Sequence, residues 1–276
     1  MAAADLTKTP AILSSVGALR AHWKLVARFA ARDLQSRYRG STVGALWMVL
    51  QPLLLLGIFT FVFAQVLRVR LGQETGTSSF PLFLFCGMLP WQAIQEGLVR
   101  ASTSVLEQPS LVKRTIFPLV ILPLPPIVAA LVQQAVATVL LGIILVITGH
   151  PVLSLALLFL PFLFVCQWLL TTGLGWALAA TQVYIRDVGT FLGSALTVWV
   201  FLTPIFYPAS LYPTGLAPLM RWNPLALLVE AYRDILLRGH IPDLFGLVVL
   251  AAVGLAAFAA GHALFRRLSP SFADLL

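Results

Sequence analysis

The residues in this 276-residue chain that could support acid–base, nucleophilic or metal chemistry are few and dispersed. Four histidines, His22, His150, His240 and His262, fall in four different segments. A metal centre or a histidine-based triad needs its members to converge. Two cysteines, Cys86 and Cys166, sit in apolar stretches without a neighbouring cysteine or histidine. They read as small apolar side chains, not as a disulfide framework or a metal-ligand pair. The lysines are Lys8, Lys24 and Lys113, and none follows a glycine. A phosphate-cradling loop ending in Gly-Lys-Ser/Thr is therefore absent. These absences predict a chain with no catalytic, cofactor or metal site of its own.

Three charged groups remain. Glu96 and Arg100 stand four residues apart, a spacing at which two helical side chains can pair. Glu107, Lys113 and Arg114 lie on the segment 106–117, together with apolar Leu111 and Val112. A helix that short is unstable alone and needs something to pack on; read from composition, a solvated turn is the other reading. Glu230, Arg233 and Asp234 fall on a short predicted helix, where Arg233 can pair with either carboxylate.

The elements that position these groups follow from composition. The chain is 59% hydrophobic and 10% charged, with a mean hydropathy of +0.94. A soluble domain is about 25% charged and could not hide this much apolar surface in one core. A spanning helix needs about 20 apolar residues. Charge-free runs predict six spans at 44–67, 79–101, 119–147, 152–182, 188–207 and 244–265, the long third run being divided at Thr148-Gly149-His150-Pro151. Runs such as Leu53-Leu54-Leu55-Leu56 exclude the alternation of a membrane barrel. Residues 1–19 lack the pattern of a cleaved leader, so the first span is expected to act as the insertion signal.

The net charge is +8 and the isoelectric point about 10.2. No basic run is dense enough for a nucleic-acid site; instead Lys and Arg mark the cytoplasmic loops. Lys24, Arg28, Arg32, Arg37 and Arg39 precede the first span, Lys113, Arg114 and Arg186 fall in alternate loops, and Arg266 and Arg267 end the last. Both termini are therefore expected in the cytoplasm.

Residues 23–39 predict an amphipathic helix in the headgroup zone. Trp23, Val26, Ala27, Ala30, Leu34 and Tyr38 form one face, and Lys24, Arg28, Arg32, Gln35 and Arg39 another. It is either a simple anchor on membrane lipids or a collar that also touches a cytoplasmic partner. Gly40 permits the turn into the first span. Residues 204–243 are greasy yet broken by Pro204, Pro208, Pro213, Pro218 and Pro224. Such backbone at membrane depth is tolerated only inside protein or along a cavity, which predicts re-entrant pieces and an outer gate near Glu230, Arg233 and Asp234.

The spans hold almost no acids, which argues against proton- or sodium-coupled transport and places the energy source outside the chain. Phe59, Phe61, Phe63, Trp91, Trp168, Trp176 and Trp199 reach beyond an interfacial belt and are candidates to line a sugar path. Gly189-x-x-x-Gly193 opens the fifth span with a spacing that allows close helix contact, nominating a dimer seam.

Several ordered motifs carry a resemblance. Arg32-Asp33-Leu34-Gln35-Ser36-Arg37-Tyr38-Arg39-Gly40-Ser41, with Leu46-Trp47 and Gln51-Pro52, resembles the opening of the type-2 ABC exporter permeases for O-antigen, capsule or teichoic acid. Gly87-Met88-Leu89-Pro90-Trp91, Leu111-Val112-Lys113-Arg114, Phe117-Pro118, Tyr184-Ile185-Arg186-Asp187, Thr203-Pro204-Ile205-Phe206-Tyr207 and Asn223-Pro224 continue it from about residue 20 to 265. The resemblance implies an all-α membrane domain over residues 1–276: an interface helix at 23–39, a six-helix region at 44–265, a coupling helix at 106–117 and outer re-entrant helices within 204–243.

It further implies a bacterial inner-membrane homodimer docked to two nucleotide-binding ATPase subunits, which hold the ATP and magnesium. The cargo is a lipid-linked polysaccharide passing between protomers. Glu107, Lys113 and Arg114 are then expected to couple to the ATPase, Trp23, Arg28 and Arg32 to mark the interface helix, Phe59, Phe63, Trp91, Trp199 and Tyr207 to line the channel, and Gly189 and Gly193 to meet a second copy. Two rivals stay open: export of a small drug or lipid by the same architecture, and an intramembrane enzyme acting on a lipid-linked sugar.

Overall fold

The computed structural model describes residues 11–69, 77, 79–113, 117–150, 152, 154–211, 215 and 217–275, with side chains from His22 onward except those of 217–219. Among the described residues the chain is helical, without a β-strand. The helices are α1 (Ala11–Arg37), α2 (Trp47–Phe59), α3 (Phe80–Thr103), α4 (Pro109–Val112), α5 (Leu124–Ile147), α6 (Leu160–Tyr184), α7 (Val188–Leu202), α8 (Ala217–Trp222), α9 (Pro224–Arg233), α10 (Leu244–Leu268) and α11 (Phe272–Leu275). Five helical stretches are long and apolar enough to cross a membrane: Gly44–Val66, Phe80–Thr103, Leu119–Ile147, Leu155–Tyr184 and Leu244–Leu275.

The fifth expected span, 188–207, is shorter than the sequence predicts. Its helix is Val188–Leu202, 15 residues long. Thr203 turns extended at φ −101°, ψ 137°, because the residue before a proline is pushed out of the helical region, and Pro204 follows. The collar is longer than 23–39: α1 runs unbroken from Ala11 to Arg37 and closes on Gly40, whose φ is +85°. In the segment 106–117 only Pro109–Val112 is helical among the described residues.

The spans differ in how enclosed they are. In the most apolar stretch of α3, 72% of residues are buried, against 6% for Gly44–Val66. α3 is therefore the central post, packed on α5, α6, α7 and α9, while α2 stands at the edge. The closest crossing joins α6 to α10. A methyl group added at Gly261 would lie 1.9 Å from the Gly173 carbonyl oxygen, and one at Gly173 would lie 2.2 Å from the backbone of Ala257. The two backbones touch because neither position carries a side chain, the means by which helices associate in lipid.

A buried polar knot fixes the middle of the bundle. Gln134 on α5 donates to Gln167 Oε1 at 3.0 Å and to the Tyr232 hydroxyl at 2.9 Å. Gln167 on α6 donates back to Gln134 at 2.7 Å and to the Pro90 carbonyl at 3.2 Å. Amides removed from water this way need partners, and these helices supply them. At one end of the bundle, Phe272 of α11 is fully buried with Val26, Val112, Trp176 and Phe265. The Trp176 indole donates to the Val120 carbonyl at 2.8 Å. Cys86 and Cys166 are free and buried, as their surroundings predict.

The α6–α10 crossing gives a direct expectation. G261A drives a carbon into backbone that cannot yield, and overpacking costs up to about 3 kcal/mol. The yield of monodisperse, detergent-extracted protein should fall severalfold for G261A and stay unchanged for G142A, where nothing lies within 4 Å of the added methyl.

Candidate functional site

At one end of α3, α1 lies across the bundle. Lys24, Arg28, Arg32, Gln35 and Arg39 are exposed as predicted, while the apolar face forms in part: Val26 and Ala30 are buried, Leu34 and Tyr38 half-buried and Ala27 exposed. Trp23 departs from its expected side: it is 48% exposed and lies off the packed stripe. An exposed indole suits headgroup depth.

The helix is held by charges. Asp33 accepts from Arg37 at 3.0 Å and from Arg100 Nη1 at 2.8 Å, with a second, shorter contact to Arg100 Nη2. Arg37 also contacts Glu96 and donates to Gln133 Oε1 at 3.1 Å. Glu96 and Arg100, predicted to pair with each other, are 3.9 Å apart, and their close partners come from α1 instead. The expected pair is thus present but loose, and the closer partners have a simple cause. Asp33 and Arg37 repeat the same four-residue spacing on α1, so two helical pairs interleave at the crossing and each charge finds its opposite across it. That repeat was the sequence signal.

Beside this latch, a cleft of about 490 Å³ opens between α1 and the 106–117 segment, with Phe29, Arg32, Glu107 and Phe117 in its walls. Glu107 is exposed and accepts from Thr103 Oγ1 at 2.7 Å. Lys113 is exposed, and Val112 is buried beneath α4. Arg114 lies outside the described residues. The segment is thus a ledge with charge on top and an apolar underside resting on the core.

At the other end of α3, the chain breaks after α7. Asn223 caps α9, accepting from the Leu225 amide at 3.1 Å, and its side chain also receives the Trp199 indole at 2.9 Å and donates to Thr203 at 3.0 Å. Arg233 has no exposed surface. It donates to the carbonyls of Pro204 at 2.6 Å and Ile205 at 2.8 Å, and pairs with Glu230 at 2.8 Å. Its guanidinium lies 3.6 Å from the centre of the Phe83 ring, a cation–π contact. Gly87 makes room, since a methyl there would come within 2.8 Å of Arg233 Nη2.

Of the two carboxylates open to Arg233, Glu230 takes it. Asp234 pairs with Arg238 at 2.6 Å, and Arg238 reaches Glu230 at 3.2 Å. Burial pushes the Asp234 carboxyl above its ordinary pKa, against the pull of Arg238. Arg233 is therefore a buried clamp, while Glu230 and Asp234 remain half-buried beside a cleft of about 330 Å³ leading to α10.

The aromatics divide by exposure. Phe59 and Phe63 are half-buried on the side of α2 facing α3, with Phe63 4.9 Å from Phe80. Trp91 is enclosed within its own chain, edge-on to Trp199 at 6.2 Å. Tyr207 is half-buried and donates to the Phe201 carbonyl at 2.9 Å. Phe61, Phe191, Phe201 and Trp222 are more exposed; composition could not separate them, because the outward side of each helix is set by packing. Gly193 faces open space, whereas Gly189 faces Gln182 of its own chain, where a methyl would meet Nε2 at 2.8 Å. No cluster of three or more metal-ligating residues occurs among the described residues.

The sequence profile of the ABC-2 type transporter family matches residues 25–237. The chain is 29% identical to the O-antigen export system permease protein of Myxococcus xanthus over 91% of its own length and 94% of that protein's. It is 27% identical to an O-antigen export system permease protein of Klebsiella pneumoniae, over 89% and 92%. It is 26% identical to a polysialic acid transport protein of Escherichia coli, over 85% and 90%.

Two outcomes follow from the charge geometry. D33N removes the negative charge shared by Arg37 and Arg100 and turns one of its two acceptor oxygens into a donor; hydrogen bonds to charged groups contribute ~1.5–3 kcal/mol each. A cysteine probe at buried Val26 (V26C) should then react with a water-soluble maleimide about tenfold faster when D33N is also present. R233M leaves two carbonyls without their donor and Glu230 with Arg238 alone, and breaking a buried pair costs ~3–5 kcal/mol. Its thermal unfolding in detergent should shift down by many degrees, while R221M at exposed Arg221 should not move it.

Proposed function

The chain belongs to the ABC-2 type transporter family, and on that premise we propose that it is the membrane subunit of an ATP-driven exporter for a lipid-linked, O-antigen-type polysaccharide. Alignment over about nine-tenths of both chains with permeases named for O-antigen export carries this reading. The polysialic acid transport protein extends the likeness to a second polysaccharide. Both kinds of relative act on polysaccharides, which favours that cargo over a small drug or lipid. An intramembrane enzyme is not favoured either: Glu96 and Glu230, two of its candidate acids, are committed to ion pairs.

In this reading a homodimer docks two ATPase subunits that bind ATP and magnesium. The termini and the α1 collar lie on the cytoplasmic side of the bacterial inner membrane, where α1 sits among lipid headgroups. Val188–Leu202 serves as a short sixth span, and the 204–243 segment dips back from the outer side. ATP closure presses on the ledge bearing Glu107, Lys113 and Arg114. The ledge rests on Val112 and Phe272, so the push enters the α6–α10 pair through their buried cluster. It also reaches α3 through Arg100 and the α1 latch. Edge helices α2 and α7 move most readily, because they bury least against the rest. Their separation from a second copy, with Gly193 at the seam, opens the path past the Arg233 clamp.

Co-expression with the ATPase encoded beside it should give a stable complex whose ATP hydrolysis in lipid responds to the lipid-linked glycan; absence of any ATPase complex would sink the assignment. E107A combined with R114A should abolish surface polysaccharide, with the chain still present in the membrane at normal abundance.

A further inference from the structure

The groove between α2, α3 and α5 is unlike the rest of the membrane-facing surface. It holds about 580 Å³ and is lined by Gln51, Gln92, Gln95, Gln133 and Glu96 beside Leu54, Leu55, Ile58 and Leu89. Its volume falls within the ordinary range of ligand pockets. Gln92 and Gln95 are exposed, lie inside the spanning helix α3, and have no hydrogen-bond partner among the described residues. Gln133 and Gln51 share one long contact of 3.4 Å.

An amide facing hydrocarbon without a partner costs several kcal/mol. At the bundle's centre two glutamines are paired, Gln134 and Gln167 satisfying each other and Tyr232, whereas the buried Gln182 Oε1 has no partner among the described residues. The charges at the groove's end do not serve Gln92 or Gln95, because Arg37, Arg100, Asp33 and Glu96 answer one another. The outstanding donors and acceptors therefore face something that enters the groove.

We propose that this amide-lined groove carries sugar hydroxyls, forming the cytoplasmic half of a carbohydrate path. The proposal rests on the polysaccharide-export reading above and names the side chains that meet the cargo. Each amide offers both a donor and an acceptor, matching hydroxyl groups that are themselves both. The side chains are neutral, so they hold no sign of charge and release each unit as readily as they take it. The leucine and isoleucine wall faces the C–H surfaces of the rings, and Trp47 at the mouth adds an aromatic face. A second copy of this chain is the competing occupant. Close helix association in lipid uses small residues that let backbones approach. The groove's small residues, Ala93, Ala130 and Ala137, are buried, and what it exposes is Gln51, Gln92, Gln95, Leu54 and Ile58.

The test places a photoreactive benzoylphenylalanine at position 92, 95 or 143, in the full chain with its ATPase, in cells that make the polysaccharide. Ile143 is an exposed apolar control on α5. After irradiation, the purified chain is stained for vicinal diols with periodate and hydrazide. Glycan-bearing adducts at 92 and 95 and none at 143 are expected. Adducts joining two copies of the chain, or no glycan at 92 and 95, overturn the proposal. Alongside, Q92L with Q95L should lower surface polysaccharide at least about tenfold at unchanged chain abundance and unchanged ATPase binding. Leucine suits lipid, so a purely structural role predicts no loss, and undiminished export overturns the proposal too. Failure of the export reading itself would show separately, as no surface polysaccharide restored by the unaltered chain in cells lacking their own permease.

Discussion

Carbonyls freed where a helix breaks need donors, and after α7 one buried side chain supplies two of them. After Leu202 the chain leaves the helix at Thr203-Pro204, and Arg233 returns from α9 to take the carbonyls of Pro204 and Ile205. The guanidinium is fully buried, so it needs its own compensation: the carboxylate of Glu230, the face of Phe83 and the space left by Gly87. Through these partners the segment after α7 is tied to α3, the central post. The Asn223 cap and the Asp234–Arg238 pair stand at the same end, at the start of α9 and just beyond it.

The opposite end of α3 uses charge differently. Asp33, Arg37, Glu96 and Arg100 are partly exposed, where a single ion pair contributes little. Their strength is in sharing: Asp33 serves two arginines, and Arg37 serves Asp33, Glu96 and Gln133. A network of this kind fixes the angle of α1 against the bundle while leaving it able to shift as a unit. The chain is thus firmly bound at the break after α7 and more yielding at α1. In an exporter driven from the cytoplasm, the yielding end is the one that must receive the push.

Between the two ends, the bundle separates structural from functional polarity. Paired glutamines at its centre hold α5, α6 and α9 together. Unpaired glutamines on α3 open onto a groove. The residue type is the same, and the difference is that Gln134 and Gln167 are enclosed among helices while Gln92 and Gln95 are open to the groove. The same division applies to the aromatics: Trp176 is fully enclosed and its indole is satisfied, while Phe61, Phe191 and Phe201 face outward.

How much was legible in the sequence follows from what each feature depends on. Apolar run length fixed five of the expected spans, because crossing a bilayer is a local requirement on some 20 consecutive residues. Composition alone excluded a soluble fold, and the missing Gly-Lys motif excluded a nucleotide site of the P-loop kind. Proline before residue 208 warned of a broken segment, though not of the early end at Leu202. Only tertiary structure decided that Arg100 meets Asp33, 67 residues away, in preference to Glu96 four residues away. It likewise decided that the intimate glycine contact joins Gly173 to Gly261 and that Trp91 is enclosed. Those outcomes depend on how each helix is rotated and where it crosses its neighbours. Such angles are set by the packing of distant segments, so no local spacing in the chain encodes them.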